Sequence, residues 1–245
     1  MTAELSHQLP PEGHNAILNA LVAGSRTNLG NRLSMVDLEA DLLVTGEEQF
    51  TDGLYFPISC LMCRLVTMPE GNSVKVSLIG REGVAGIAAL VDPSRAVYRT
   101  IVQLPGRALF LPRGEAGRLL EDPRVARILA AYLLLLLRET SLTAACNRSH
   151  PAKSRLARWL LLISDRIARA EFPLTHESLS AMLGVRRESV TASANDLRAA
   201  GAIDYRRARV VIADRSELRK HACSCYRIIT DRYVNFLKSG LGGRS

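Results

Sequence analysis

The chain has 245 residues, 47% hydrophobic and 23% charged, enough to bury one large core or two smaller ones. Five cysteines, an odd number without scaffold spacing, argue against a secreted disulfide framework, and no signal pattern opens the sequence. The formal charge of +8 is lopsided: residues 148–245 carry 19 Lys+Arg against 9 Asp+Glu, whereas residues 1–147 carry 13 against 15. Basic charge confined to one region reads as the footprint of a polyanion.

In chain order, residues 14–22 read as a short helix leading into a first domain. From about residue 36 to residue 111, short apolar or alternating runs are separated by turn signals such as Asp52-Gly53, Pro69-Glu70-Gly71-Asn72 and Pro105-Gly106. Runs at 61–68, 73–79 and 100–104 have the length and spacing of strands in a small antiparallel barrel or sandwich. Helical signal returns at Glu121-Asp122-Pro123 and continues through Asn147. A helix of about 25 residues at about 1.5 Å per residue is too long for a small lone domain. Along it Leu129, Leu133, Leu136, Thr140, Thr143 and Asn147 recur at a spacing near 3.5, suited to pairing with a second copy of the chain. The apolar run at 128–137 is too short to cross a bilayer, which takes about 20 residues, so a cytoplasmic protein without a membrane partner is expected. Ser149-His150-Pro151 interrupts the pattern and is the candidate hinge; Pro151 suits the first position of a new helix through Trp159 and Ile163.

The stretch 174–203, LTHESLSAMLGVRRESVTASANDLRAAGAI, is the most informative. It reads as two short helices meeting at Gly184, with Thr175 as N-cap and Glu177 in the first turn. Leu179, Met182 and Leu183 share one face of the first helix, and Val190, Ala194 and Leu197 form a narrow buried stripe on the second. The second helix opens with Arg186-Arg187-Glu188-Ser189 and keeps short or polar residues, Thr191, Ala192 and Asn195, on its other face. A slim helix with a polar, arginine-led start fits the major groove of DNA. Next come Ile203-Asp204-Tyr205, a basic tip at Arg206, Arg207 and Arg209, and Val210-Val211-Ile212, the pattern of a hairpin whose arginines could meet phosphates.

This order of parts resembles the Crp–Fnr superfamily of bacterial transcription regulators over about residues 15–230. The threonine opening the first helix, the turn glycine, the Arg-Glu-Ser-Val run and the closing Leu-x-x-x-Gly carry the resemblance, with Leu54-Tyr55-Phe56 through Glu70-Gly71 matching in the β-region. It implies an α+β chain. An N-terminal antiparallel β-barrel of jelly-roll, cyclic-nucleotide-binding-like form (15–122) would lead into a long dimerisation helix (123–148). A C-terminal winged helix-turn-helix (149–245) would follow. The family's pattern implies base reading by Arg187 and Glu188; Arg186, Thr191 and Asn195 share that face, where a later family arginine is replaced by Ala192. Phosphate contacts are expected from Thr175, His176, Ser189, Arg206, Arg207 and Arg209. A homodimer on a near-palindromic duplex, with RNA polymerase as a further partner, is what the resemblance implies.

The effector side departs from the family. Arg81, Glu82, Gly83 and Gly86 fall where a glycine-rich phosphate cassette would lie, but the Arg-Ser pair of cyclic-nucleotide sensors falls on Ala96-Val97, with Arg95 the nearest arginine. The expectation is an unidentified effector or redox signal at the β-domain, or a β-domain that is purely structural; no cofactor is assigned. The only histidines before residue 150 are His7 and His14, ahead of the first strand, so a metal-dependent barrel enzyme lacks its ligands. Cys60 and Cys63 sit three apart in a strand, so they face opposite ways. The segment HACSCY offers His221, Cys223 and Cys225 as weak metal candidates, with Cys146 as a remote fourth ligand. The family's iron–sulfur sensors carry a cysteine cluster near the N-terminus, and this chain has none before Cys60.

Overall fold

The computed structural model describes residues 14–24, 29–46, 52–71, 73–87, 90 and 98–240. Helix α1 (Ala16–Gly24) is followed by β1 (Ser34–Leu38), β2 (Leu43–Thr45), β3 (Gly53–Pro57), β4 (Leu61–Thr67), β5 (Ser73–Ile79), β6 (Arg99–Leu104) and β7 (Gly106–Pro112). These strands form two antiparallel sheets, ordered β1-β7-β3 and β2-β6-β4-β5. Leu38, Val44, Met62, Ile79, Val102 and Ala108 fill the space between them. The alternation of a strand decides what lies behind. Met62 points into this filling, while its neighbour Cys63 belongs to the larger core shared with the helices. Both faces of β4 are therefore covered, and its first five residues are all buried.

Helix α2 (Arg113–Leu119) leads to α3 (Pro123–Ser149), which Asp122 caps by accepting from the Arg124 amide at 2.9 Å, with Pro123 at the first helical position. By length and composition alone α3 could cross a membrane. Here its inner face is the lid of the second sheet: Val125, Ile128, Leu129, Tyr132, Leu135 and Leu136 are buried, and a carboxylate, Glu139, is buried with them. That placement divides the expected pairing stripe between the two faces of the helix. Leu129, Leu136 and Thr143 face the chain's own core, and Thr140 accepts from Arg64 of β4 at 3.3 Å. Leu133 of that stripe stays uncovered together with Leu134 and Leu137, at 36%, 56% and 58% exposure. The stripe is divided because Tyr132 and Glu139 find polar partners inside.

After His150 and Pro151 the chain builds its second lobe: α4 (Ala152–Ile167), β8 (Glu171–Pro173), α5 (His176–Leu183), α6 (Arg187–Ala199), β9 (Ile203–Arg206), β10 (Arg209–Ile212), α7 (Arg215–His221) and α8 (Cys225–Asn235), ending in a wide helical turn at Phe236–Gly240. Residues 155–167 of α4 are buried without interruption, so this helix is the lobe's spine. Strands β8, β10 and β9 form one antiparallel sheet.

The two lobes meet through buried charge. Arg166 of α4, wholly buried, holds Glu82 at 2.8 Å and both oxygens of Glu139 at 3.0 Å, while the Tyr233 hydroxyl donates to Glu139 at 2.6 Å. Burial alone would discourage the guanidinium's charge, but the two carboxylates reverse that and hold its pKa well above the ordinary value. Three segments, the loop after β5, α3 and α8, converge on this one cation of α4. A second contact joins Lys75 of β5 to Ser178 of α5 at 2.6 Å, and Gln103 completes it.

The junction also takes up residues of the expected effector pocket. Glu82 is spent on Arg166, and Arg81 donates to the Arg166 carbonyl at 3.4 Å, so both side chains serve the lobe contact. Gly83 lies so close to Tyr132 that a β-carbon there would strike the phenol, and its carbonyl accepts from Asn15 at 2.8 Å. Gly86 provides a turn at φ 96°, and Arg95 lies outside the described residues. Close packing against Tyr132 accounts for the glycine at 83, and the positive φ for the glycine at 86.

Candidate nucleic-acid interface

Helices α5 and α6 are set by their caps and their apolar stripes. Thr175 accepts from the Ser178 amide at 3.1 Å, and α5 ends at Gly184, whose φ of 60° is the left-handed conformation a helix end favours. Leu179, Met182 and Leu183 anchor α5, and Val190, Ser193, Ala194 and Leu197 anchor α6. The opposite face of α6 is free: Arg186, Arg187, Glu188, Ser189, Thr191, Ala192 and Asn195 are all exposed. Arg186 stands at the N-cap without making a side-chain cap bond, so the start of the helix carries cationic charge instead of a capping oxygen.

The polar side chains around this face are ordered by one another. His176 stacks on Tyr205 with ring centroids 4.6 Å apart and meets the Thr191 hydroxyl at 3.3 Å, which braces α5, α6 and β9 together. His176 is thus half-buried between its neighbours, whereas Thr175 is exposed. Arg187 pairs with Glu177 at 3.1 Å, both well exposed, a contact worth at most about 1 kcal/mol and readily exchanged for a stronger partner.

The wing is β9 and β10 joined by a two-residue turn. Arg206 faces Arg209 across the ladder, and Arg207 and Ala208 at the tip both have positive φ, 48° and 59°. Such a turn matches the twist of the strands but favours Asn or Gly, so the arginine there is held at a local cost. Arg206 leans on Asp204 at 2.9 Å and Arg209 on Glu171 at 2.6 Å. Among the described residues Arg207 makes no ion pair, leaving it the open cation of the tip.

The cysteines divide into two kinds. Cys60 and Cys63 are buried in different cores, and burial pushes both thiols up to about 12, so they stay protonated and inert. The HACSCY trio does not converge: His221 turns to Glu217 at 3.3 Å, because it ends α7 one helical turn after that glutamate. Cys223 and Cys225 face Cys146 of α3 instead.

A family model described as the Crp-like helix-turn-helix domain matches residues 154–221, which run from α4 through α7. A curated relative, the CRP-like cAMP-activated global transcriptional regulator of Mycobacterium tuberculosis, is 24% identical over 202 residues, spanning 79% of this chain and 90% of that protein. Among solved structures, FixK2 from Bradyrhizobium japonicum aligns with a TM-score of 0.66 at 17% identity, over 78% of this chain and 98% of its own. A CRP/FNR-family transcriptional regulator from Thermus thermophilus aligns at 0.61 and 23% identity, over 77% and 98%. The two-sheet lobe, the long helix and the helix-turn-helix lobe are thus a shared fold, and the Mycobacterium and Thermus proteins are described as transcriptional regulators.

Proposed function

We propose that this chain, which carries a Crp-like helix-turn-helix domain, is a Crp–Fnr transcription regulator whose α6 reads an operator from the major groove of DNA. One observation carries the reading: the buried stripe Val190, Ala194 and Leu197 leaves Arg187, Glu188, Thr191 and Asn195 together on a slim exposed face. Arginine pairs with the guanine edge through two hydrogen bonds, and glutamate accepts from the cytosine amino group. Each well-made base contact is worth about 1–3 kcal/mol of discrimination. Thr175, Ser189, Arg206, Arg207 and Arg209 hold backbone phosphates on either side, and His176 supports them from behind.

The working unit is a homodimer paired through the Leu133, Leu134 and Leu137 stripe of α3. Apolar side chains left in water on a rod about 40 Å long, at about 1.5 Å per residue, gain most by meeting their own copy. Two α6 helices then enter successive major grooves about 34 Å apart on a near-palindromic site. The domains act as a sensor lobe (15–122), a dimer helix (123–148) and a reading lobe (149–245), in the cytoplasm, with RNA polymerase as the partner that the family resemblance supplies. The signal reaches the reading lobe through Arg166 and through Lys75 with Ser178, since these are the bonds any change of lobe angle must alter. A second reading, an effector-independent regulator, has one observation in its favour: Arg81 and Glu82 serve the lobe junction. Selection from a random duplex pool with the full chain tests the proposal. An enriched two-fold site with half-sites about 10 base pairs apart supports it, and recovery of unrelated sequences contradicts it.

A further inference from the structure

At the point where α3 ends and the reading lobe begins, four side chains from distant parts of the chain turn toward one centre. Cys146 lies in the last turn of α3, and His150 caps that helix through its amide, which donates to the Cys146 carbonyl at 3.0 Å. Cys223 lies in the turn between α7 and α8, and Cys225 opens α8. Their ligand atoms all lie within 4.8 Å of one another. The Cys146 and Cys223 sulfurs are 3.5 Å apart, and the Cys225 sulfur is 3.8 Å from His150 Nδ1.

We infer that Cys146, His150, Cys223 and Cys225 form a tetrahedral site for a zinc-class divalent ion that fastens the long helix to the C-terminal segment. The chemistry of the set is three thiolates and one imidazole, the soft, four-ligand combination that structural zinc takes. The spacing agrees. With a metal–sulfur bond of about 2.3 Å, ligand atoms at the corners of a tetrahedron are about 3.5–3.8 Å apart. Two of the observed separations already have that value. A multi-iron cluster spreads its thiolates over several metal atoms, so these short separations favour a single ion.

A separate observation points the same way. Arg158 of α4 is fully buried and lies over the Trp159 ring at 4.9 Å; among the described residues only one of its three nitrogens has a hydrogen-bond partner, Nη1 donating to Thr143 at 3.3 Å. A buried cation without a counter-charge is costly. All three clustered cysteines feel the field of this guanidinium. A divalent ion held by three thiolates and a neutral imidazole carries a net charge of −1, complementary to the buried Arg158 guanidinium. Binding releases the thiol protons still held to solvent and leaves no redox change.

Position gives the site its consequence. His150 belongs to the hinge between α3 and α4, and the Cys223 amide reaches the Ser154 carbonyl at 3.4 Å. Loading the site adds a fastening beside the hinge to the Tyr233–Glu139 contact that already joins α8 to α3.

The test uses the full chain, reduced under anaerobic conditions and titrated with zinc and, as a spectroscopic stand-in, cobalt(II). One ion per chain, with the visible bands of tetrahedral cobalt and the near-ultraviolet absorption of thiolate-to-cobalt charge transfer, is expected. Cys146→Ser, His150→Ala, Cys223→Ser and Cys225→Ser should each weaken zinc binding by more than about a hundredfold, beyond what changes outside the ligand shell cost. Cys60→Ser should leave it unchanged. If a serine variant fails to fold, the intensity of charge transfer in the unmodified chain still reports the number of thiolates, and three are required. Absence of stoichiometric binding, octahedral cobalt, or a reduced chain that closes a Cys146–Cys223 disulfide in preference to taking metal overturns the site.

Discussion

Helices α6 and α3 each leave one face to solvent, and the two faces ask for different cover. On α6 the open face is Arg187, Glu188, Thr191 and Asn195, side chains that are at ease in water and await a hydrogen-bonding partner. On α3 it is Leu133, Leu134 and Leu137, whose burial is worth about 1.5–3 kcal/mol each. A polar face can be uncovered and occupied repeatedly, as binding to successive DNA sites requires. An apolar one favours a lasting partner. The same lobe junction supports both helices, since Glu139 of α3 and Arg166 of α4 are locked together behind them.

The largest effect is expected where that support is cut. Arg166→Met leaves Glu82 and Glu139 buried without their cation, and should cost about 3–5 kcal/mol in urea unfolding. If the midpoint barely moves, the two lobes are not held by this charge. The two faces of α3 are distinguished next. Leu129→Ala, on the buried face, should destabilise the fold by about 2–5 kcal/mol. Leu134→Asp with Leu137→Asp, on the open face, should leave unfolding near that of the parent while sedimentation shows the dimer replaced by monomer. The reverse pattern would restore the original reading of the helix. The smallest effect belongs to the wing. Arg207→Ala should lower affinity for every duplex alike and reduce the slope of log K against log salt by about 0.9, one phosphate contact. A change confined to one sequence would make Arg207 a base reader.

These contrasts explain what could be read in advance. On α6 the apolar residues Val190, Ala194 and Leu197 stand alone among polar ones, so periodicity reveals the buried side and, by subtraction, the open side. On α3 residues 133–137 are all leucine, and no pattern within them says which turn inward. Tyr132 and Glu139 decide the register, through Val84, Arg166 and Tyr233, none of which is near in sequence. The glycine-rich segment Arg81 to Gly86 looked like a ligand cassette because close approach of backbone to Tyr132 and close approach to a phosphate both call for glycine. His150 was legible only as a hinge residue. Its meeting with Cys146, Cys223 and Cys225 depends on how α8 returns to α3, which local sequence does not encode. The spacing of Cys223 and Cys225 was the available signal, and His221 misled because helical geometry turned it to Glu217.

Base reading by Arg187 is the central proposal for α6. The direct measurement compares the parent chain and Arg187→Ala on a duplex recovered by selection and on a scrambled duplex of equal length, across a salt series. The variant should lose about 1–3 kcal/mol of preference for the selected duplex and keep the parent's affinity for the scrambled one. An equal loss on both duplexes would contradict base reading and make Arg187 one more phosphate contact.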